Sequence, residues 1–154
     1  MSSIREQILD RCKVVLLQAS TPAGGNVSRS REISITRAVS PSIVVLFGGE
    51  QDHRMGENAD AHDLKVSIQV YVRGDPWDTL ADAVADPAHT ALMADAARSN
   101  AGTAGSLAAL GVDLRKVSTD SESEEADRTS GCLLVTYSAT YLTSAASMSR
   151  APAP

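Results

Sequence analysis

Four side chains in the polar stretch from Glu50 to Asp63 are of types that can hold a divalent ion: Asp52, His53, His62 and Asp63. Imidazole nitrogens and carboxylate oxygens suit zinc and other first-row metals. Their spacing matches no established ligand pattern, however, and adjacent residues in a strand or loop point apart. The stretch therefore reads as a solvated loop, and neither a metal nor a cofactor is expected. The third histidine is His89. Ser130-Gly131-Cys132 could suggest a nucleophile. That cysteine opens a predicted strand and no histidine has a local relation to it, so a buried thiol is the better reading. Gly24-Gly25-Asn26 and Gly48-Gly49 form neither a dinucleotide fingerprint nor a phosphate loop, and turn formation explains both. No carboxylate pair is distinctive enough for acid–base work. No catalytic residue is expected, and the chain is not expected to be an enzyme.

The charge pattern is more informative. Arg29, Arg31 and Arg37 fall in one short segment, while Asp120, Glu122, Glu124, Glu125 and Asp127 make an acidic stretch. Each could be an ordinary solvated face. The alternative is that the basic edge of one subunit meets the acidic stretch of its neighbour in a head-to-tail ring, where complementarity sets register. Isolated exposed pairs add little affinity, so their role there would be orientation.

Composition narrows the classes further. A chain of 154 residues makes one domain that can bury about 70% of its unfolded surface. Apolar residues reach 43%, enough for a core without disulfides, but aromatics are only 3%, so Val, Leu, Ile and Ala must fill it. Few rings also disfavour base stacking on nucleic acid. The net charge of −5 would repel a phosphate backbone, so no direct nucleic-acid recognition is expected. No apolar run reaches membrane-spanning length, and the start of the chain lacks the pattern of a signal peptide. Cys12 and Cys132 read as two buried thiols in a reducing cytosolic compartment rather than a disulfide.

The elements that must position these residues follow from periodicity. Ser3 to Ala19 reads as a helix with Ile4, Ile8, Cys12, Val15, Leu16 and Ala19 on one face; Ser2 or Ser3 is placed to cap it, and Glu6, three residues after Ser3, would complete a capping box. Val27 to Ile35 is extended. Ser42 to Phe47 is a continuous apolar run expected at the centre of a sheet and closed by Gly48-Gly49. Leu64, Val66, Ile68, Val70 and Val72 alternate with polar residues, a strand with one dry face. Asp75 as N-cap and Pro76 at the first helical position begin a second helix. It carries Leu80, Ala83, Val84, Leu92 and Met93 inward, with a kink or break at Pro87. Asn100 to Gly105 is a small-residue loop. Val112 to Ser118 and Leu133 to Leu142 are strands paired across the acidic stretch. The expected fold is α+β: a mixed, mostly antiparallel sheet with two helices packed on one face. Residues 1–142 form the domain and 143–154 a flexible tail.

The succession of motifs carries a resemblance. Ile4-Arg5-Glu6-Gln7-Ile8 opens the first helix, and Gly24-Gly25-Asn26-Val27-Ser28-Arg29-Ser30-Arg31-Glu32 follows. Next come Pro41-Ser42-Ile43-Val44-Val45, Val70-Tyr71-Val72-Arg73-Gly74-Asp75 and Ala91-Leu92-Met93-Ala94-Asp95. Leu134-Val135-Thr136-Tyr137-Ser138-Ala139-Thr140-Tyr141 closes the series. Over residues 4 to 142 the chain resembles the tail terminator (tail completion, minor tail) proteins of long-tailed bacteriophages. That resemblance implies an α+β subunit forming a homohexameric ring on the head-proximal end of the tail tube. Such a ring ends tube polymerisation and presents a joining surface to the neck or head-completion protein. The implied partners are copies of itself, the tube protein and the neck protein, in a virion assembled in the host cytoplasm. By position, the interface elements are the segment Arg29, Arg31, Glu32 and the stretch containing Asp52, His53 and Arg54; Arg37 and the acidic Glu122, Glu124 and Glu125 complete the candidate surface. The alternatives are a neck or head-completion protein of the connector, and a small metal-dependent hydrolase using His53 and His62.

Overall fold

The computed structural model describes residues 2–29, 41–74, 76–123, 130–149 and 151–152, with the side chains of residues 122 and 123 excepted. The first helix, α1, spans Ile4–Gln18 and buries Ile4, Ile8, Leu9, Cys12, Val15 and Leu16. Ser3 caps it, its Oγ accepting the Glu6 N–H at 3.2 Å. Glu6 turns its own carboxylate to Arg29.

Strand β1 is Val27–Arg29, β2 is Ser42–Met55 and β3 is Ala59–Arg73. Helix α2 covers Trp77–Ala96, followed by a 3-10 turn at Arg98–Asn100. Strands β4, Asp113–Ser123, and β5, Ser130–Ser144, complete the chain. One five-stranded sheet runs in the order β1-β2-β3-β5-β4. β1 lies parallel to β2 and every other pairing is antiparallel, giving the mixed α+β sheet that the pattern predicts. Of the expected extended segment from Val27 to Ile35, residues beyond Arg29 lie outside the described residues.

Period two decides which face meets the helices. Leu64, Val66, Ile68, Val70 and Val72 of β3 are all buried, as are Val135, Tyr137, Ala139 and Tyr141 of β5. The register sets Val66 beside Tyr137 and Ile68 beside Val135, so both rows share one face. The residues buried on the helices belong to the same core.

Several expectations change here. α2 runs without interruption through Pro87. A proline removes one helical hydrogen bond and crowds the preceding turn, but Val84, Ala85, Ala88 and Leu92 are buried on either side of it and hold both turns on the sheet. The inward face is also smaller than expected: Leu80 is exposed, while Ala81, Ala85 and Ala88 face the core and let the helix approach closely. Pro76 occupies the cap position itself rather than the first turn, and Asp75 lies outside the described residues. The boundary drawn after Leu142 falls inside β5, where Thr143 is buried, and Met148 C=O accepts the Ile4 N–H at 2.9 Å.

Trp77, the single tryptophan, covers Gly131 at the start of β5, and a methyl group there would overlap the indole. Gly131→Val should therefore displace the ring and destabilise the fold by about 1–3 kcal/mol. Thermal unfolding followed by Trp77 fluorescence checks this; an unchanged midpoint would mean that the ring can move aside freely.

Candidate functional site

The stretch from Glu50 to Asp63 is not a loop. β2 continues through Gly48-Gly49 as a β-bulge, where the pairing with β3 shifts between Phe47 and Glu50. Gly49 has φ +100°, a conformation that favours glycine. At Gly48 a side chain would press against Lys65, its Cβ standing 3.1 Å from the Lys65 Cβ. The glycine pair thus re-aims the strand rather than ending it. Beyond the bulge, the distal parts of β2 and β3 form an arm that turns at Gly56-Glu57-Asn58, with the last residues of β5 paired alongside as far as Ser144. Met55 and Leu142 on this arm are 58% and 44% exposed, an apolar presence on an otherwise polar projection.

Alternation sorts the four sequence candidates onto two faces. Asp52 pairs across the strands with His62, on the side that carries Glu50 and Tyr141; His53 and Asp63 lie on the other side. Asp63 there accepts the Ser138 hydroxyl at 2.5 Å and lies 3.4 Å from Lys65 Nζ. Chiefly through the Ser138 hydrogen bond, its carboxyl is held below the ordinary value. Asp52, His53, His62 and Asp63 therefore do not form one ligand set.

The helix-side face of the arm's root holds a different cluster. His62 Nδ1 is 2.5 Å from Asp52 Oδ1 and 3.8 Å from Glu50 Oε2. Its Nε2 is 2.7 Å from the buried Thr143 Oγ1. The Tyr141 hydroxyl donates to Glu50 Oε1, and its ring stacks on His62 with centroids 4.8 Å apart. Burial, then that hydrogen bond, pushes the phenol above its ordinary range. Arg5 from α1 donates to Glu50 at 3.3 Å and sits 5.3 Å above the Phe47 ring. The side chains of Glu50 and His62 are only 6% and 8% exposed, against 60% for Asp52. The root of the arm is thus tied to β2, β3, β5 and α1 at once. Glu50, Tyr141, Thr143 and Arg5 were not singled out as candidates from sequence; the spacing of Glu50 two residues before Asp52, once β2 is extended, is the signal that finds the first of them.

The remaining candidates are distributed. Arg29 donates to Glu6 at 2.9 Å and Asp10 at 2.7 Å, which joins β1 to α1. Arg54 pairs with Asp60 at 3.2 Å beside the turn, and His53 is exposed. Glu122 contributes backbone to β4, opposite Cys132. Arg31, Glu32, Arg37, Glu124 and Glu125 lie outside the described residues.

No disulfide joins Cys12 to Cys132. Cys12 is buried, and burial pushes its thiol up to about 12. Because the thiolate is the reactive form, Cys12 should stay unmodified by a thiol reagent at pH 8 until the chain is unfolded, which mass spectrometry of the labelled peptide would check.

No helix among the described residues is long and apolar enough to cross a membrane. No known family profile matches the chain, and no curated protein sequence matches it. Among solved structures, its fold is similar to that of a chain in a structure titled "Virion of native gene transfer agent (GTA) particle". The TM-score is 0.50 and the identity 15%, over 91% of this chain and 92% of that one. At this identity the likeness is one of fold, over nearly the whole length of both chains.

Proposed function

We propose that this chain is a structural subunit of a phage-type virion, and more specifically a tail terminator. It would assemble with copies of itself into a ring, in the form expected a hexamer, on the head-proximal end of the tail tube. The ring would end tube polymerisation and offer the joining surface for the neck, after assembly in the host cytoplasm. The observation that carries this reading is the fold correspondence over nine-tenths of both chains with a chain from a virion particle. The ordered motifs between residues 4 and 142 agree with it. So does the arm, which places the exposed His53, Arg54 and Met55 where a second subunit or the tube could meet them. Ring assembly by one surface meeting a different surface of the next copy needs no catalytic group, only shape and charge.

A hydrolase using His53 and His62 together finds no support in the geometry, since the two rings lie on opposite faces of the arm. A neck or head-completion role remains the competing structural reading, and a pull-down against tube and connector subunits separates the two. The decisive experiment measures native mass by light scattering and images tube ends by electron microscopy after mixing with tube protein. Rings and capped tubes are expected. A chain that stays monomeric and never decorates a tube end would overturn the proposal.

A further inference from the structure

We propose that Glu50, Asp52 and His62 form a binding site for one divalent transition-metal ion, zinc by ligand chemistry, at the root of the arm. This inference does not rest on the ring reading. Two carboxylates at alternate positions of β2 and an imidazole directly across on β3 converge on one face, with their ligand atoms all within 4.8 Å of one another. A site built on paired strands is held more firmly than one on a loop. Zinc takes nitrogen and oxygen ligands at about 2.0–2.2 Å. The observed spacings, 2.5 Å from Nδ1 to Asp52 Oδ1 and 3.8 Å from Nδ1 to Glu50 Oε2, lie one below and one above the roughly 3.4 Å that two such bonds span at a tetrahedral angle, so the two carboxylates must shift to seat the ion.

The surroundings match the support that metal ligands need. A ligating histidine fixes its other nitrogen on a neighbouring acceptor, and His62 Nε2 already lies 2.7 Å from Thr143 Oγ1. Nδ1 can bind the ion only without a proton, so the ring hydrogen then sits on Nε2 and is donated to Thr143 Oγ1, and any proton displaced from Nδ1 passes to solvent. Tyr141 and Arg5 hold Glu50 in place. The positive charge of Arg5 weakens the site, and the two carboxylates outnumber it. Asp52, mostly exposed, leaves a path for entry. The bound ion would clamp β2 to β3 just beyond the bulge and stiffen the arm.

The test uses the full chain stripped with EDTA and titrated with zinc by calorimetry and with cobalt(II) by visible absorption. One equivalent per chain is expected, with cobalt bands of a low-coordinate site and a higher melting temperature in zinc. Asp52→Asn and His62→Gln should each weaken zinc binding at least tenfold; circular dichroism confirms that each variant is folded. The absence of saturable zinc binding at 100 µM, or tight binding unchanged in both folded variants, would sink the assignment.

Discussion

Asp95→Ala should lower the unfolding free energy by about 2–4 kcal/mol, because it removes the acceptor that joins three parts of the chain. Arg11 on α1 grips the Asp95 carboxylate with two parallel bonds, Nη2 to Oδ1 at 2.7 Å and Nε to Oδ2 at 3.0 Å. The Leu107 N–H adds a third at 2.9 Å and pins the segment leading into β4. Both ionic side chains are mostly covered, at 20% and 11% exposure. Truncation would leave a guanidinium and an amide with lost partners in a poorly hydrated place. Asp95 lies in the last turn of α2, where the helix dipole disfavours a negative charge, so the pairing with Arg11 must outweigh that as well. Burial alone would raise its carboxyl, but Arg11 and the Leu107 amide outweigh it and hold the group below the ordinary value of 3.8. A depressed folded-state value means stability that is present above the unfolded value near 4 and is lost as pH falls through the folded one. Wild-type stability should therefore decline below about pH 4. Asp95→Asn should start lower and decline less steeply. Urea unfolding at several pH values measures both, and a slope unchanged in the asparagine variant would refute this contribution.

The same residues show what could be read in advance. The apolar rows of β3 and β5 were legible because one face is covered by helices and one is not, which writes period two directly into Leu64–Val72 and Leu133–Tyr141. α1 was legible for the matching reason at period 3.6, together with its serine cap. The arm was not, because the alternation that reveals a strand needs a dry face, and from Gln51 to Met55 every residue of β2 is exposed. Its pairing is carried by backbone bonds and polar side chains, which leave no hydrophobic signature. The glycine pair ended the apolar run, yet Gly49 at positive φ only shifts the register. Asp52 and His62 stand ten residues apart and face each other only because the turn at Gly56-Glu57-Asn58 sets the register of β2 on β3, which their spacing in the sequence does not reveal. Likewise, nothing near Arg11 in the sequence points to Asp95: the two are 84 residues apart and meet only because both helices pack on one face.

Glu50→Ala should have the second large effect, about 2–3 kcal/mol, through the loss of hydrogen bonds to a buried carboxylate. Glu50 accepts the Tyr141 hydroxyl and pairs with Arg5, so its removal leaves a buried phenol and a half-covered guanidinium without their acceptor. His62 also loses the buried one of its two carboxylate neighbours, 3.8 Å away, and keeps Asp52, which is nearer but largely in water. Glu50→Gln separates charge from hydrogen bonding. Its amide oxygen can still accept from Tyr141, while the attraction for Arg5 falls, so it should retain about half of the lost stability. The consequence is local as well as global. α1 reaches the arm through Arg5, and without Glu50 the arm is held by its own strand pairing and by the contacts of His62 with Asp52 and Thr143. Amide exchange in residues 50–63 should therefore accelerate more in Glu50→Ala than exchange in the core rows of β3 and β5. Equal acceleration everywhere would mean that Glu50 acts on the whole fold and not on the aim of the arm. If the arm is what a neighbouring subunit or the tube end engages, the alanine variant should remain folded at low temperature while forming rings less readily. That combination distinguishes a loosened arm from a destabilised domain.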